Sequence, residues 1–244
     1  MKISIVMAYY NRLELLKNTL KSISTHNTPY EIVIVDDGST IEPLSEDIIK
    51  SISCGLNIVF YRFDPSVKTW CNPCIAYNKG FSLASGDVVI IQNPECYHKD
   101  PVVDYCIGQN FDNNYYVFSC YSLPENAVLE NHVLRQCGVA FEGDDGWYQH
   151  SAFRNYNFHF TSAISMKNLI GIKGFDENYA NGNAYDDNEL LYRISKVCNI
   201  INVDNVMTYH QYHYSSPKSY SNISNESKFK ALQFESYTEF KSSL

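Results

Sequence analysis

The chain has 244 residues, of which 45% are hydrophobic and 19% are charged, and its formal net charge is −8. These totals fit one large domain, or one domain with a small appendage, and exclude global disorder; the acidic balance, without a dense Lys/Arg cluster, argues against nucleic-acid binding. No apolar run reaches the roughly 18 residues of a membrane span, and the first strand begins too early for a signal peptide, so we expect a cytoplasmic protein, soluble or peripherally associated with a membrane.

The first half of the chain alternates predicted strands and helices. Apolar patterns predict strands at 3–7, 32–35, 57–63, 87–91 and 115–121, and helices around 13–23, 44–53, 73–84 and 101–110. Asn11, with Glu14 three residues later, has the form of a capping box at the start of the first helix. The alternation predicts an α/β fold with a mostly parallel central sheet flanked by helices.

The second half departs from this rhythm. Residues 124–157 are rich in Gly, Asp, Asn and aromatics, which is typical of a lid or binding loop. Further elements are predicted as a strand at 159–166, a helix at 187–198 and short strands at 200–203 and 206–209. Residues 215–228 form a polar linker, and 229–240 is a candidate docking or dimerisation helix, so a homo-oligomer is one expectation.

The eight cysteines are scattered through the chain, and we interpret them as reduced thiols, several of them buried. Cys71 and Cys74 form a Cys-x-x-Cys pair. A zinc site would need a second pair at comparable spacing, which the sequence lacks, and the order of strands does not suit a thioredoxin-like redox motif.

Acidic and polar residues follow the first two predicted strands. Ligands of open α/β sheets bind at the carboxyl ends of such strands. The carboxylates of Asp36 and Asp37 are able to accept hydrogen bonds from a uracil imide or a ribose hydroxyl. The competing interpretation is that Asp-Gly-Ser is simply a turn that ends a strand.

The sequences of these two strands and the residues after them resemble the nucleotide-sugar half of the family 2 glycosyltransferases. The two segments are ISIVMAYYNR and EIVIVDDGST. The resemblance covers roughly residues 2–213 and implies a Rossmann-like, single-domain glycosyltransferase type A fold. It divides the chain into a glycosyltransferase domain (1–213, with a nucleotide-sugar-binding half at 1–122 and an acceptor-binding and catalytic half at 123–213) and a linker with a C-terminal helix (214–244).

By the same resemblance, the ring of Tyr10 stacks on the nucleobase, and Lys68 or Lys79 helps to neutralise phosphate. The family usually has Pro-Thr where this chain has Ala8-Tyr9. The resemblance assigns nucleotide-sugar binding to Ala8, Tyr9, Tyr10, Arg12, Asp36, Asp37, Asn78 and Asn93.

Asn93-Pro94-Glu95 stands where the family has its metal-binding Asp-x-Asp motif. Glu95 is a suitable oxygen ligand for Mn²⁺ or Mg²⁺, whereas the neutral Asn93 is a weaker one, so a metal-independent mechanism stays open. His210 and His213 follow the last strand, where some members of this fold have a further ligand. The expected metal ligands are therefore Glu95, His210 and His213.

An acidic pair, Asp186-Asp187, opens a predicted helix after a Gly-Phe-Asp-Glu segment. In inverting members of the family such a pair supplies the base that takes the proton of the acceptor hydroxyl. The resemblance assigns this role to Asp187, with Asp186 in reserve. Helix capping and the helix dipole are the structural alternative, but capping needs only one Asp.

Aromatic rings stack on sugar faces, so the middle segment suggests an acceptor-binding lid. The candidates are Trp147, Tyr148 and His150, with core packing as the competing interpretation. The acceptor itself, whether a saccharide, a lipid-linked sugar or a protein, is not specified by these residues.

The resemblance thus implies an enzyme that transfers a hexosyl or N-acetylhexosaminyl group, with inversion, from a nucleoside diphosphate sugar, expected to be UDP-linked, to an acceptor hydroxyl. Nucleotidyltransferases share the general fold, but they carry a Gly-rich basic loop where this chain has YYNR. The other alternative is a non-catalytic nucleotide- or sugar-binding module, which Asn93 favours and the acidic pair disfavours.

Overall fold

The computed structural model of the protein describes residues 1–130, 133–135, 146–214 and 225–233. The strands are β1 (Ile3–Tyr9), β2 (Tyr30–Asp36), β3 (Ile58–Arg62), β4 (Val88–Gln92), β5 (Cys96–His98), β6 (Asn114–Ser122), β7 (Val128–Glu130), β8 (Val133–Arg135), β9 (Trp147–Gln149), β10 (Thr161–Ser165) and β11 (Asn199–His210). The helices are α1 (Leu13–Ile23), α2 (Glu46–Ile52), α3 (Cys74–Leu83), α4 (Val102–Cys106), α5 (Met166–Gly171), α6 (Asp186–Val197) and α7 (225–233).

A central sheet runs through the molecule in the order β3-β2-β1-β4-β10-β6-β11-β5, with β9 paired to β6. Strands β3, β2, β1 and β4 are parallel to one another. They read as continuous apolar runs because helices cover both faces of the sheet. Helices α1, α2 and α4 pack on one face, and α3, α5, α6 and α7 pack on the other. The predicted α/β class is confirmed.

The sheet is mixed rather than mostly parallel. Strand β10 runs antiparallel between β4 and β6, so the strand predicted at 115–121 is not the neighbour of β4. The two short strands predicted at 200–203 and 206–209 are one strand, β11, with an irregularity between Val203 and Met207. The mixed arrangement brings the end of β11 next to β5, directly after the Asn-Pro-Glu turn.

The start of α1 is capped in a different way from the prediction. Asn11 has a left-handed backbone (φ 51°), and its Oδ1 accepts hydrogen bonds from the N–H groups of Ile41 and Glu42. A capping residue normally has an extended backbone, so Asn11 cannot serve the first helical turn. Instead the Leu13 N–H donates to Glu42 Oε2 at 3.0 Å. The predicted Asn11–Glu14 capping box is therefore wrong.

Two further observations bear on the sequence predictions. Every cysteine within the described residues is a free thiol, including Cys71 and Cys74. No helix in the described ranges has both the length and the apolar character needed to cross a membrane.

Candidate active site

The Asp36 carboxylate builds the loop that follows β2. It is fully buried, with Oδ1 accepting the Ser39 N–H at 2.8 Å and Oδ2 accepting the Leu44 N–H at 2.9 Å. The Arg62 Nε lies 3.4 Å from Oδ2. Since both oxygens are engaged within the protein, Asp36 shapes the loop.

Beside this loop, Asp37, Lys68, Trp70 and Tyr10 form a polar and aromatic cluster. Asp37 accepts a hydrogen bond from Trp70 Nε1 at 2.7 Å and is paired with Lys68. Burial raises the pKa of Asp37 in spite of the Lys68 charge. The Lys68 ammonium lies 5.2 Å from the centre of the Tyr10 ring, which is 46% exposed. The structure thus presents Tyr10 as an open ring beside a fixed cation.

Three other residues predicted to bind nucleotide-sugar lie differently. The ring of Tyr9 is buried in the core, and its hydroxyl donates to the Glu42 carbonyl at 2.7 Å. Ala8 is nearly buried as well. Asn78 is bound to the backbone of Phe175, donating to its carbonyl and accepting from its N–H. These side chains support the loops around Tyr10 and before α6 rather than an open surface.

A buried carboxylate lies at the Asn-Pro-Glu turn. Glu95 Oε1 is 2.5 Å from the Arg12 guanidinium, 3.3 Å from His210 Nε2 and 3.5 Å from His213 Nε2. Burial alone would raise the pKa of Glu95, but the two histidines and Arg12 outweigh it and hold that pKa well below its ordinary value. Glu95 is therefore an anion at neutral pH, surrounded by basic side chains.

The Glu95 cluster has the composition of a divalent-cation site. Glu95, His210 and His213 each offer one ligand atom, and these three atoms all lie within 4.8 Å of one another. Glu95 Oε2 is buried without a hydrogen-bond partner in the described residues, as expected of an oxygen kept for a ligand. Asn93 Oδ1 accepts a hydrogen bond from the Tyr77 hydroxyl at 3.0 Å. The residues therefore fit a cation held by one carboxylate and two imidazoles, a set that suits transition metals.

Strand pairing places the two histidines at this carboxylate. His210 is opposite Cys96 in the β11–β5 ladder, next to Glu95. Gln211 then donates through Nε2 to the Glu95 carbonyl at 3.1 Å and to the Leu15 carbonyl at 3.0 Å. Sequence reasoning missed Gln211, because its partners come from two distant segments of the chain.

The predicted catalytic pair opens α6, and a histidine lies against it. His159 Nδ1 is 2.5 Å from Asp187 Oδ1, the distance of a close ion pair. Burial is the largest single influence on the pKa of His159 and lowers it, but the carboxylates of Asp187 and Asp186 together outweigh burial, so the net pKa is raised. Burial, and then the charge of Asp187, raise the pKa of Asp186 to about 6. His159 was missed, since in sequence it reads as the first residue of an apolar strand.

The loop before α6 has an unusual backbone. Ala184 and Tyr185 both have left-handed φ values of 63° and 65°, a conformation that costs energy in residues other than glycine. Asn225 of α7 is fully buried and donates to the carbonyls of Ala184, at 2.9 Å, and Tyr179, at 3.1 Å. Phe229 packs on Tyr185. The C-terminal helix therefore braces the loop that presents the acidic pair.

The three predicted acceptor residues divide between two sides of β9. Tyr148 lies at the Glu95 cluster, with its ring 4.5 Å from that of His210 and stacked on Phe160 at 5.0 Å. Trp147 is buried and packs against His150, with ring centres 4.5 Å apart. Because side chains alternate along a strand, Trp147 and Tyr148 point to opposite faces of β9, whereas His150 follows the end of the strand and packs on Trp147.

The chain matches the family model described as Glycosyl transferase family 2 over residues 4–165. A comparison with curated proteins gave no match.

Several solved structures share the fold. Staphylococcus aureus TarS 1–349 in complex with UDP-GlcNAc superposes with a TM-score of 0.67 at 15% identity, over 88% of this chain and 60% of that chain. GalNAc-T7 with UDP, GalNAc and Mn²⁺ gives 0.65 at 14% identity, over 97% of this chain and 50% of that chain. The mannosyltransferase PcManGT from Pyrobaculum calidifontis, in complex with GDP-Man and Mn²⁺, gives 0.57 at 14% identity, over 89% and 57%.

These likenesses are likenesses of fold, and they confirm the glycosyltransferase type A architecture. The chain spans about 60% of the length of TarS 1–349. The family model covers residues 4–165, which include β1, β2, β4 and the Asn-Pro-Glu turn. The chain belongs to glycosyltransferase family 2.

Proposed function

We propose that the protein transfers a hexosyl or N-acetylhexosaminyl group from a nucleoside diphosphate sugar to an acceptor hydroxyl, with inversion. One observation carries the proposal. His159 and Phe160 are consecutive in the chain, and they lie beside Asp187 and the Glu95 cluster, respectively. His159 pairs with Asp187, and the ring centre of Phe160 lies 6.2 Å from that of His210. A candidate base and a candidate diphosphate site are thus held side by side at one rim of the sheet.

Asp187 is the proposed base. The acceptor O–H bond breaks, its proton passes to Asp187, and the acceptor oxygen forms a bond with the anomeric carbon. The bond between that carbon and the diphosphate oxygen breaks on the opposite side, and its electron pair leaves with the diphosphate. A single displacement of this kind inverts the anomeric centre. Asp186 is buried, whereas 29% of the Asp187 side chain is exposed, so Asp187 is the one accessible to an acceptor.

The Glu95 cluster is the proposed diphosphate site. Glu95, His210 and His213 would hold Mn²⁺ or Mg²⁺, which when bound supplies positive charge to the leaving group as a Lewis acid. Arg12, in contact with Glu95 at 2.5 Å, adds a fixed cation at the same place. Local positive charge is needed because the chain as a whole carries a net charge of −8.

A UDP-linked donor is the proposed substrate. Among the solved structures of the same fold, TarS is in complex with UDP-GlcNAc and GalNAc-T7 with UDP and Mn²⁺. The exposed ring of Tyr10, beside Lys68 and Asp37, supplies a surface on which a pyrimidine base can stack.

The test is a screen of UDP-, GDP- and dTDP-sugars, with and without Mn²⁺. Thermal shift measures donor binding, and release of the nucleoside diphosphate measures transfer of the sugar to water or to simple saccharides. We expect a Mn²⁺-dependent shift with UDP-sugars, because a ligand stabilises the state that binds it. Asp187→Asn is expected to bind the donor within about twofold of the native enzyme and to lose about 10²–10⁴-fold in rate, the usual worth of a general base.

Asp47→Asn is the matched control. Asp47 is an exposed carboxylate at the start of α2, and α2 packs on the face of the sheet opposite to α6. It should behave as the native enzyme. Full transfer by Asp187→Asn would contradict the role of Asp187. Donor binding without turnover in the native protein would instead favour a non-catalytic nucleotide-binding module.

A further inference from the structure

His159 and Asp187 form a buried pair that the predicted mechanism does not include. Their Nδ1 and Oδ1 atoms are 2.5 Å apart, and both atoms are buried with no hydrogen bond to any other described group. A buried imidazole nitrogen and a buried carboxylate oxygen without other partners are stable together only as a pair. The contact is therefore a specific one.

Among the described residues, Asp187 is the ion-pair partner of His159 Nδ1. The ring is packed against the rings of Tyr77, at 5.1 Å, and Phe175, at 4.9 Å, both edge-on. The Tyr77 hydroxyl donates to Asn93 Oδ1 or the Gln92 carbonyl, both 3.0 Å away, so it is committed elsewhere. From α6, the charged groups that face His159 are Asp186 and Asp187.

The two oxygens of the Asp187 carboxylate are in different environments. Oδ1 is buried against His159, whereas 29% of the side chain as a whole is exposed. The exposure must therefore lie on the rest of the side chain, which includes Oδ2. Of the two oxygens, Oδ2 is therefore the candidate for contact with an incoming hydroxyl group.

We propose that His159 is a positioning residue for the catalytic base: its imidazolium ion holds Asp187 by Oδ1, keeps it anionic, and directs Oδ2 to the acceptor hydroxyl. This assignment rests on the proposed function. It also explains how two adjacent carboxylates coexist at the start of α6, because the positive charge of His159 offsets their mutual repulsion. The raised pKa of His159 agrees with a cation at neutral pH.

Two variants separate charge from shape. His159→Phe keeps a ring in the cage of Tyr77 and Phe175 but removes both the charge and the nitrogen. His159→Asn retains a polar group near the position of Nδ1 without the charge. Donor hydrolysis is measured for both variants from pH 5 to pH 9, together with the KM for the donor and the melting temperature.

For His159→Phe we expect kcat to fall about 10–100-fold with the donor KM within about twofold of the native value. The acidic limb of the kcat profile should move to higher pH, because Asp187 is protonated more easily without its cation. His159→Asn should regain part of the lost kcat while it keeps the displaced limb. A purely structural role predicts instead a lower melting temperature and an unmoved limb, and that result would overturn the proposal.

A second readout needs no turnover. The His159 ring resonance, identified by its loss in His159→Asn, is titrated by NMR in the native protein and in Asp187→Asn. We expect the pKa of His159 to be lower in Asp187→Asn. Turnover without this coupling would overturn the role of His159 alone, whereas coupling without any turnover in the native protein would overturn the proposed function and this assignment with it.

Discussion

Four carboxylates at this rim of the sheet lie in two kinds of environment: Asp36 and Asp37 in the loop after β2, and Glu95 and Asp187 at the Asn-Pro-Glu turn and the start of α6. Asp36 and Asp37 have all four oxygens engaged by groups of the protein. Glu95 and Asp187 are also well buried or partly buried, yet each has an oxygen with no hydrogen bond in the described residues. The first pair builds loops, and the second pair keeps hydrogen-bonding capacity for a ligand or for a charged partner.

At this rim of the sheet, the carboxylates that build loops are distinguished from the candidate functional ones by whether an oxygen lacks a hydrogen-bond partner. A buried polar atom without a partner costs free energy, so it persists where another group binds it during function. Burial alone does not make this distinction, because Asp36 is the most deeply buried of the four.

Glu95→Gln should abolish cation binding while it leaves the fold intact. The change removes the anion but keeps the shape, and we expect at least a 100-fold loss of Mn²⁺ affinity, or about 2.7 kcal/mol or more at 1.36 kcal/mol per tenfold. Isothermal titration with Mn²⁺ measures it, with Glu46→Gln on the exposed face of α2 as the control. Unchanged Mn²⁺ affinity would remove the Glu95 cluster from the mechanism.

Asp36→Ala should have the opposite profile, a loss of stability without a specific loss of cation binding. The change leaves the N–H groups of Ser39 and Leu44 without acceptors in a buried loop. We expect a destabilisation of about 2–4 kcal/mol, the range for buried donors left unpaired. Urea denaturation measures it. If stability is unchanged and donor binding is lost, Asp36 belongs with the functional acids and the comparison fails.

Asp186→Asn should stabilise the protein in a pH-dependent way. The folded pKa of Asp186, about 6, lies above the ordinary value of 3.8 because burial disfavours the anion. The native protein therefore carries a penalty that is full above pH 6, declines as the pH falls through 6, and is absent below about 4. The variant should be more stable by about 1–3 kcal/mol at pH 8, at 1.36 kcal/mol per pKa unit.

Denaturation of native protein and Asp186→Asn at pH 8, 6 and 4 measures this change. The difference between the two should shrink as the pH falls. A variant that is less stable at every pH would show that the anion of Asp186 is required by the fold.

Tyr10→Leu should affect the donor site alone and weakly. The change removes an exposed ring while it keeps an apolar side chain, so stability is expected to remain within about 0.5 kcal/mol. The KM for a UDP-sugar should rise about 5–10-fold, in keeping with about 1 kcal/mol of base stacking. Equal KM values would mean that the base binds elsewhere.

The fold was largely predictable from local patterns. The strands at 3–7, 32–35 and 87–91 are continuous apolar runs, and the spacing of Leu13, Leu16, Leu20 and Ile23 defines α1. The antiparallel direction of β10 was not predictable, since a strand's own residues do not state which strand it will pair with. The three-residue strand β5 was too short to give a pattern.

The site was predicted only in part, because the local sequence does not state which distant segments meet in the fold. The motif positions Glu95, His210, His213 and Asp187 come from a resemblance along the chain, and the structure brings the first three together. The contacts that tune them come from other segments: Arg12 reaches Glu95, and His159 reaches Asp187. Such pairs are separated by many residues, and no local spacing indicates them.

The close approach of Gly182 to Asn225, beside the loop before α6, limits how this sequence can change over time. A side chain at Gly182 would place its Cβ only 2.2 Å from Asn225 Oδ1, and Asn225 in turn holds the backbone of Tyr179 and Ala184. A residue larger than glycine at position 182 therefore requires the Asn225 side chain to move or to be replaced, and with it the two hydrogen bonds to the loop. Descendants that keep this loop are expected to keep glycine at position 182 for as long as they keep Asn225.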